Sequence, residues 1–174
     1  MALLRRLSGC SANANQLAML AKALRAHQSV GSDSPLSLAV LSNATTDLIA
    51  PAIEGTAPRF GLNVQCIEVP FGTYAQEIAL SDSALNRQSR DVVVLALDEH
   101  ALNFQEFHGD SERATDELNR VHQRLQLLCK QLLERGHRSV FLQTFVPRVE
   151  SVFGDFESSL SGSYAWYVNH LNHR

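Results

Sequence analysis

The sequence predicts a three-layer α/β fold, a doubly wound parallel sheet with the flavodoxin-like strand order 2-1-3-4. Three observations carry this. Residues 36–41 (Leu-Ser-Leu-Ala-Val-Leu) and 91–97 (Asp-Val-Val-Val-Leu-Ala-Leu) are short apolar runs almost without polar alternation. That is the pattern of strands buried on both faces of a parallel sheet. Such runs alternate with segments of helical period, which calls for crossovers and not hairpins. The first run also passes into a small polar cluster, Ser42 to Asp47, and then a helical segment. Open α/β sheets gather ligands at corners of that kind, and right-handed crossovers leave few other topologies.

Composition narrows the class further. With 174 residues, 45% of them hydrophobic, the chain suits one domain with a full core. Net charge is −3, and the arginines at 5–6 and 120–138 are not interleaved with aromatics, so nucleic acid is not an expected partner. No apolar run reaches the roughly 18–20 residues of a membrane span, and the start of the chain does not read as a secretory signal. Cys10, Cys66 and Cys129 lack metal-ligand spacing and read as reduced structural thiols of a cytoplasmic protein.

The elements follow in order. Residues 1–35 read as an N-terminal helix and linker, and 36–174 as the α/β domain. Leu17, Met19, Leu20, Ala21 and Leu24 give 11–28 an amphipathic helical face, and 29–35 is a Gly/Ser/Asp loop. After the first strand, Thr45, Thr46 and Asp47 are N-cap candidates for a helix over 48–60. Pro51, Gly55 and Pro58 make that helix short or irregular, and Gly61 closes it. Residues 63–69 alternate polar and apolar, as an edge strand does. A turn at 70–74 precedes short helical pieces at 74–80 and 83–88. The strand at 91–97 is expected to bury Val93 and Leu95 on opposite faces. A long helix over 111–135 ends at Gly136 as its C′ residue, and 138–144 is the fourth strand. An irregular loop at 149–162 leads to a last helix at 163–174. No fifth strand follows it, so the chain reads as lacking the last strand of its fold, a piece of something longer. The bare edge beside the fourth strand allows a homodimer.

Several of these segments resemble one family. Residues 41–46 (Leu-Ser-Asn-Ala-Thr-Thr), 69–78 (Val-Pro-Phe-Gly-Thr-Tyr-Ala-Gln-Glu-Ile), 83–85, 91–97, 143–147 (Gln-Thr-Phe-Val-Pro), Gly154 and 168–172 (Val-Asn-His-Leu-Asn) are similar, in order, to the amino-terminal domain of FkbH-like proteins. That domain is itself similar to SGNH hydrolases. In the full-length family a phosphatase-like HAD domain follows it, and the family loads a glyceryl unit onto an acyl carrier protein in polyketide biosynthesis. The resemblance therefore implies an SGNH-hydrolase-like fold. It also implies two partners, an acyl carrier protein and a HAD-like catalytic domain.

Two departures limit what carries over. The Asp-x-Asp-x-Thr motif of the HAD domain is absent, so glyceryl transfer does not belong to this chain. The SGNH serine is also absent, because Asn43 or Ala44 stands in its place, and no Asp-x-x-His block occurs. Gly72 matches the second-block glycine, whose N–H helps line an oxyanion-type pocket.

The candidate ligand pocket is therefore Asn43, the N–H groups of Ala44 and Thr45, Gly72, and Asp98. Ser42 and His100 are the weak catalytic candidates, since a serine nucleophile needs a base in reach. Helix capping is the favoured role for Ser42, Thr45 and Thr46. Asp98, Glu99 and His100 end a strand at the crevice, where acid–base work is conceivable but an ordinary loop start is favoured. His108, His122, His137, His170 and His173 are dispersed. The i,i+3 pair His170/His173 reads as a solvated face, so no metal or cofactor is expected. Tyr164, Trp166, Tyr167 and Leu171 read as helix-on-sheet packing in which Trp166 and Tyr167 cannot both face inward. The expected function is a non-hydrolytic domain for carrier recognition or domain docking. The alternatives are an SGNH-type esterase or thioesterase with a rearranged site, and a structural interaction module without a small ligand.

Overall fold

The computed structural model of the protein describes residues 2–28, 34–67, 69–146 and 154–174. Among them four strands form one parallel sheet, β1 (Leu36–Ser42), β2 (Val64–Ile67), β3 (Val92–Ala96) and β4 (Val140–Leu142). Their order is β2-β1-β3-β4, with Leu38 opposite Cys66 and Val92, and Leu95 opposite Leu142. This is the order that the alternation of strands and helices predicts. The helices are α1 (Ala2–Ser8), α2 (Ala14–Gln28), α3 (Ile49–Thr56), α4 (Tyr74–Ala79), α5 (Glu99–Leu102), α6 (Ser111–Glu134) and α7 (Tyr164–Asn172). Glu68 and residues 147–153 of the expected second strand and irregular loop, and 29–33 of the first loop, lie outside the described residues. No helix among the described residues is long and apolar enough to cross a membrane.

The two faces of the sheet are covered differently. Ala39, Leu41, Val93 and Leu95 point to one side and are fully buried under Ile78 of α4, Leu118, Val121 and Leu125 of α6, and Tyr167, Val168 and Leu171 of α7. The other side carries Leu36, Leu38, Val64 and Cys66 under Ala50, Ile53 and Ala57. Val93 and Leu95 thus share a face, which corrects the expectation that they oppose one another. Side chains two apart in a strand point the same way, and the alternate residues Val92 and Val94 are only half-buried. β3 is not enclosed on both sides.

On the second face α2 lies across α3. Gly55 makes this approach close, because a Cβ there would sit 2.6 Å from the Leu17 carbonyl oxygen. Beside it, buried Glu54 accepts from Arg25 Nε at 2.7 Å and from the Cys66 backbone N–H at 2.6 Å, tying α2, α3 and β2 together. Burial, and then the Glu54 charge, push the Cys66 thiol up to about 12.

Three local expectations are corrected. The N-cap of α3 is Leu48, not Thr45, Thr46 or Asp47. It is in the right-handed helical region and has no side-chain cap. A turn tightens the start instead, with Ile49 N–H and Ala50 N–H both donating to the Thr46 carbonyl at 2.9 and 3.1 Å. Residues 83–88 form turns and not a helix, because the Asn86 amide donates to the carbonyls of Glu77, Ile78 and Leu80 and closes the end of α4. The short helices α1 and α5 have no counterpart in the sequence reading. The irregular α3 runs, as expected, into a 3₁₀ turn closed by Gly61 at φ 73°, and Gly136 follows α6 at φ 87°.

Candidate functional site

The carboxyl ends of β1 and β3 are locked together by side chains. Ser42 Oγ donates to the Ala96 carbonyl at 2.7 Å and accepts the Ala44 N–H at 3.0 Å. One residue on, the Asn43 side-chain amide donates to Asp98 Oδ1, while Asn43 Oδ1 accepts the Asp98 N–H at 3.0 Å. The same Asp98 oxygen caps α5 by accepting the His100 N–H at 2.9 Å. Asn43 and Asp98 therefore come together as the sequence reading places them, but they satisfy one another and α5.

The remaining candidates separate from that pair. The Ala44 N–H is turned inward to Ser42 and is not available to an outside oxygen. Thr45 is exposed. Gly72, at φ 70°, lets a tight turn form in which Thr73 Oγ1 donates to the Pro70 carbonyl at 2.7 Å. A Cβ on Gly72 would meet no atom within 4 Å, so the glycine serves the turn and not a close approach. The His100 imidazole is 73% exposed and faces Glu99 at 3.7 Å, with no bond to Ser42 among the described residues.

An open cleft of about 530 Å³ lies instead between the ends of β1 and β2, beside the start of α3. Val40, Ala50, Pro51, Ile67, Val69 and Phe71 give it apolar walls, and Thr46 and Asp47 give it a polar corner. These two residues stand where the first N–H groups of α3 leave the sheet, the favourable end of the helix dipole.

Residues that the sequence reading passed over brace the loops around this crevice. Arg124 donates to the Ala101 carbonyl at 2.6 Å and to Tyr74 Oη at 3.2 Å, so it joins the loop after β3 to the start of α4. Arg120 reaches the Asn103 carbonyl at 3.2 Å and pairs with Glu117 at 2.6 Å, and Glu117 also accepts the Gln105 N–H at 2.8 Å. The Arg120 hydrogen bond holds the Glu117 carboxyl below the usual carboxylate range. Their signal was legible, since residues 117, 120 and 124 are i, i+3, i+7 on one helix face. Behind them Tyr167 is fully buried, stacks on Phe104 at 4.4 Å and donates to the Gln105 carbonyl at 2.9 Å. Trp166 is half-buried beside His170, so of the two aromatics it is Tyr167 that faces inward. Among the described residues no three His, Cys, Asp or Glu side chains gather as metal ligands do.

No curated protein matches the chain. Among solved structures it is similar to the crystal structure of the N-terminal part of a Bacteroides fragilis protein containing a phosphatase domain, complexed with Mg. The two share 18% identity and a TM-score of 0.63 over 98% of this chain, which is evidence of a common fold. The match takes in 39% of the Bacteroides chain, so the present chain spans about two-fifths of the length of that crystallised chain. The family model described as FkbH, N-terminal domain, matches residues 37–174, from β1 through α7. With the parallel 2-1-3-4 sheet at its centre, this chain belongs to the FkbH N-terminal domain family.

Proposed function

We propose that this domain is a non-hydrolytic recognition domain of a FkbH-like loading protein, and that its cleft takes the phosphopantetheine arm of an acyl carrier protein. The observation that carries the reading is the engagement of Ser42. Its hydroxyl donates to Ala96 and accepts from Ala44, with no hydrogen bond to a base among the described residues, while an open cleft is lined by other residues at the ends of β1 and β2. A nucleophile needs its proton aimed at a base, and here the proton serves the sheet. An extended amide-bearing chain suits the lining, with methylenes against Val69 and Phe71 and an amide N–H toward Asp47. A HAD-like catalytic domain would supply the glyceryl chemistry. The work belongs in the cytoplasm, and the free thiols Cys10, Cys66 and Cys129 support that placement.

The test pairs binding with turnover. The holo carrier protein, titrated into isotope-labelled domain, is expected to shift the amide signals of Thr46, Asp47 and Phe71, and the apo form is not. The domain hydrolyses neither p-nitrophenyl acetate nor acyl thioesters above background, and Ser42→Ala leaves that background unchanged. Saturable hydrolysis abolished by Ser42→Ala or His100→Ala would replace this reading with the esterase one. Equal shifts from apo and holo carrier would remove the arm from the cleft.

A further inference from the structure

The half-covered face of the sheet ends in a second groove, distinct in its lining from the cleft just described but sharing the start of α3 with it. It holds about 700 Å³ alongside α3, with Leu36, Leu38 and Val92 as its floor and α3 as one wall. Thr56 is the one polar side chain in its lining among the described residues. Its two ends are apolar and bare. Leu48 and Ile49, at the start of α3, are 63% and 47% exposed, and Phe60 and Leu62, just past its end, are 70% and 51% exposed. A groove apolar but for Thr56, with large side chains standing at both ends, is more than the scattered exposure of a monomer surface.

We propose that two copies of this chain associate through this groove, with the two α3 helices lying antiparallel across a two-fold axis. The arrangement of the groove is self-complementary. An eight-residue helix spans about 12 Å, so the Leu48/Ile49 pair and the Phe60/Leu62 pair stand at opposite ends. In an antiparallel pairing each end cluster of one copy falls on the other end cluster of its partner, as an isologous interface requires. No charged side chain lines the groove among the described residues, so like charges do not meet across the axis.

The area supports the same occupant. The four exposed side chains leave on the order of 400 Å² of apolar surface per copy. With the half-buried floor and helix wall, two copies would bury roughly 1,000–1,200 Å² in total, near the lower bound for a specific interface. Pairing through the β4 edge is the competing arrangement. An antiparallel β4–β4 contact keeps corresponding sheet faces on one side, so it would leave both grooves open to water.

Sedimentation equilibrium of the 174-residue chain from micromolar to millimolar concentration tests this. The expected result is a monomer–dimer equilibrium whose dissociation constant rises at least tenfold in Ile49→Glu and in Phe60→Glu. Both positions are exposed, and an acid in the first turn of α3 suits the helix dipole. Circular dichroism confirms that each variant is folded. Phe141→Glu, on the exposed sheet edge, leaves the equilibrium unchanged. A monomer throughout would mean that something other than a second copy covers the groove, and would overturn the proposal. A dimer lost in Phe141→Glu but kept in Ile49→Glu would overturn it in favour of edge pairing.

Discussion

Replacing Gly55 with Ala sets two effects of known size against each other. In an exposed helix the change gains about 1 kcal/mol from backbone entropy and helix propensity. Here the new Cβ would lie 2.6 Å from the Leu17 carbonyl oxygen, 3.2 Å from its carbon and 3.3 Å from its Cα. All three are main-chain atoms of α2, so no side-chain rotamer relieves the contact, and α2 must move off α3 as a body. That displacement strains the Arg25–Glu54 pair and the small Leu20/Leu24 cluster. Overpacking of this kind costs about 1–3 kcal/mol, and a rigid main-chain contact falls in the upper part of that range. The net expectation is a loss of about 1–2 kcal/mol. Urea unfolding followed by Trp166 fluorescence measures it, and limited proteolysis reports whether α2 is loosened first. Leu17→Ala should not rescue the variant, because the obstruction is backbone. If Gly55→Ala instead raised stability by about 1 kcal/mol, or Leu17→Ala restored it, the account of the α2–α3 contact would be wrong.

Other consequences can be measured in the same way. Leu95→Ala empties a fully buried position on the central strand pair and should cost about 2–5 kcal/mol in urea unfolding. Gly162→Ala adds a side chain at φ 79° with the Phe107 carbonyl oxygen 2.2 Å away, and should cost about 2–4 kcal/mol in the same assay. His137 accepts the Arg90 N–H on Nδ1 at 3.0 Å, which fixes its neutral form, with Nε2–H donating to Asn86 Oδ1 at 3.0 Å. Burial, and then the Arg90 charge, lower its pKa from the ordinary value. A histidine held neutral in the fold contributes stability in full above its unfolded pKa of about 6.5 and loses it as pH falls below that. Denaturation midpoints of the wild type should therefore drop on acidification through this window, and those of His137→Gln should drop less.

What the sequence made legible was what periodicity encodes. Apolar runs at 36–41 and 91–97 and alternation at 63–69 led to β1, β3 and edge strand β2, and crossover handedness gave the order. Gly61 and Gly136 marked helix ends because a left-handed turn favours glycine. The candidate site was legible only as a neighbourhood. The ends of the predicted parallel strands place Asn43 and Asp98 at one end of the sheet, but nothing local says that they would bond to each other, 55 residues apart. The capping reading of Thr45 and Thr46 failed for a similar reason, since a main-chain turn at Thr46 does that work without a hydroxyl. The helical piece expected at 83–88 gave way to turns because the Asn86 amide binds carbonyls at the end of α4.

The position of β1 between β2 and β3 also dictates an order of assembly. As the chain leaves the ribosome, β1, α3 and β2 form a first crossover unit that buries only the Leu36/Leu38 side of β1. On the Ala39 and Leu41 side, Ile78 of α4 comes next in the chain, the cover is completed only by α6 and α7, and the Ser42–Ala96 tie spans 54 residues. Contacts of such separation are closed late and at an entropic cost that local helices do not bear. The most buried face of the fold is therefore the one whose cover is drawn from the most distant parts of the chain.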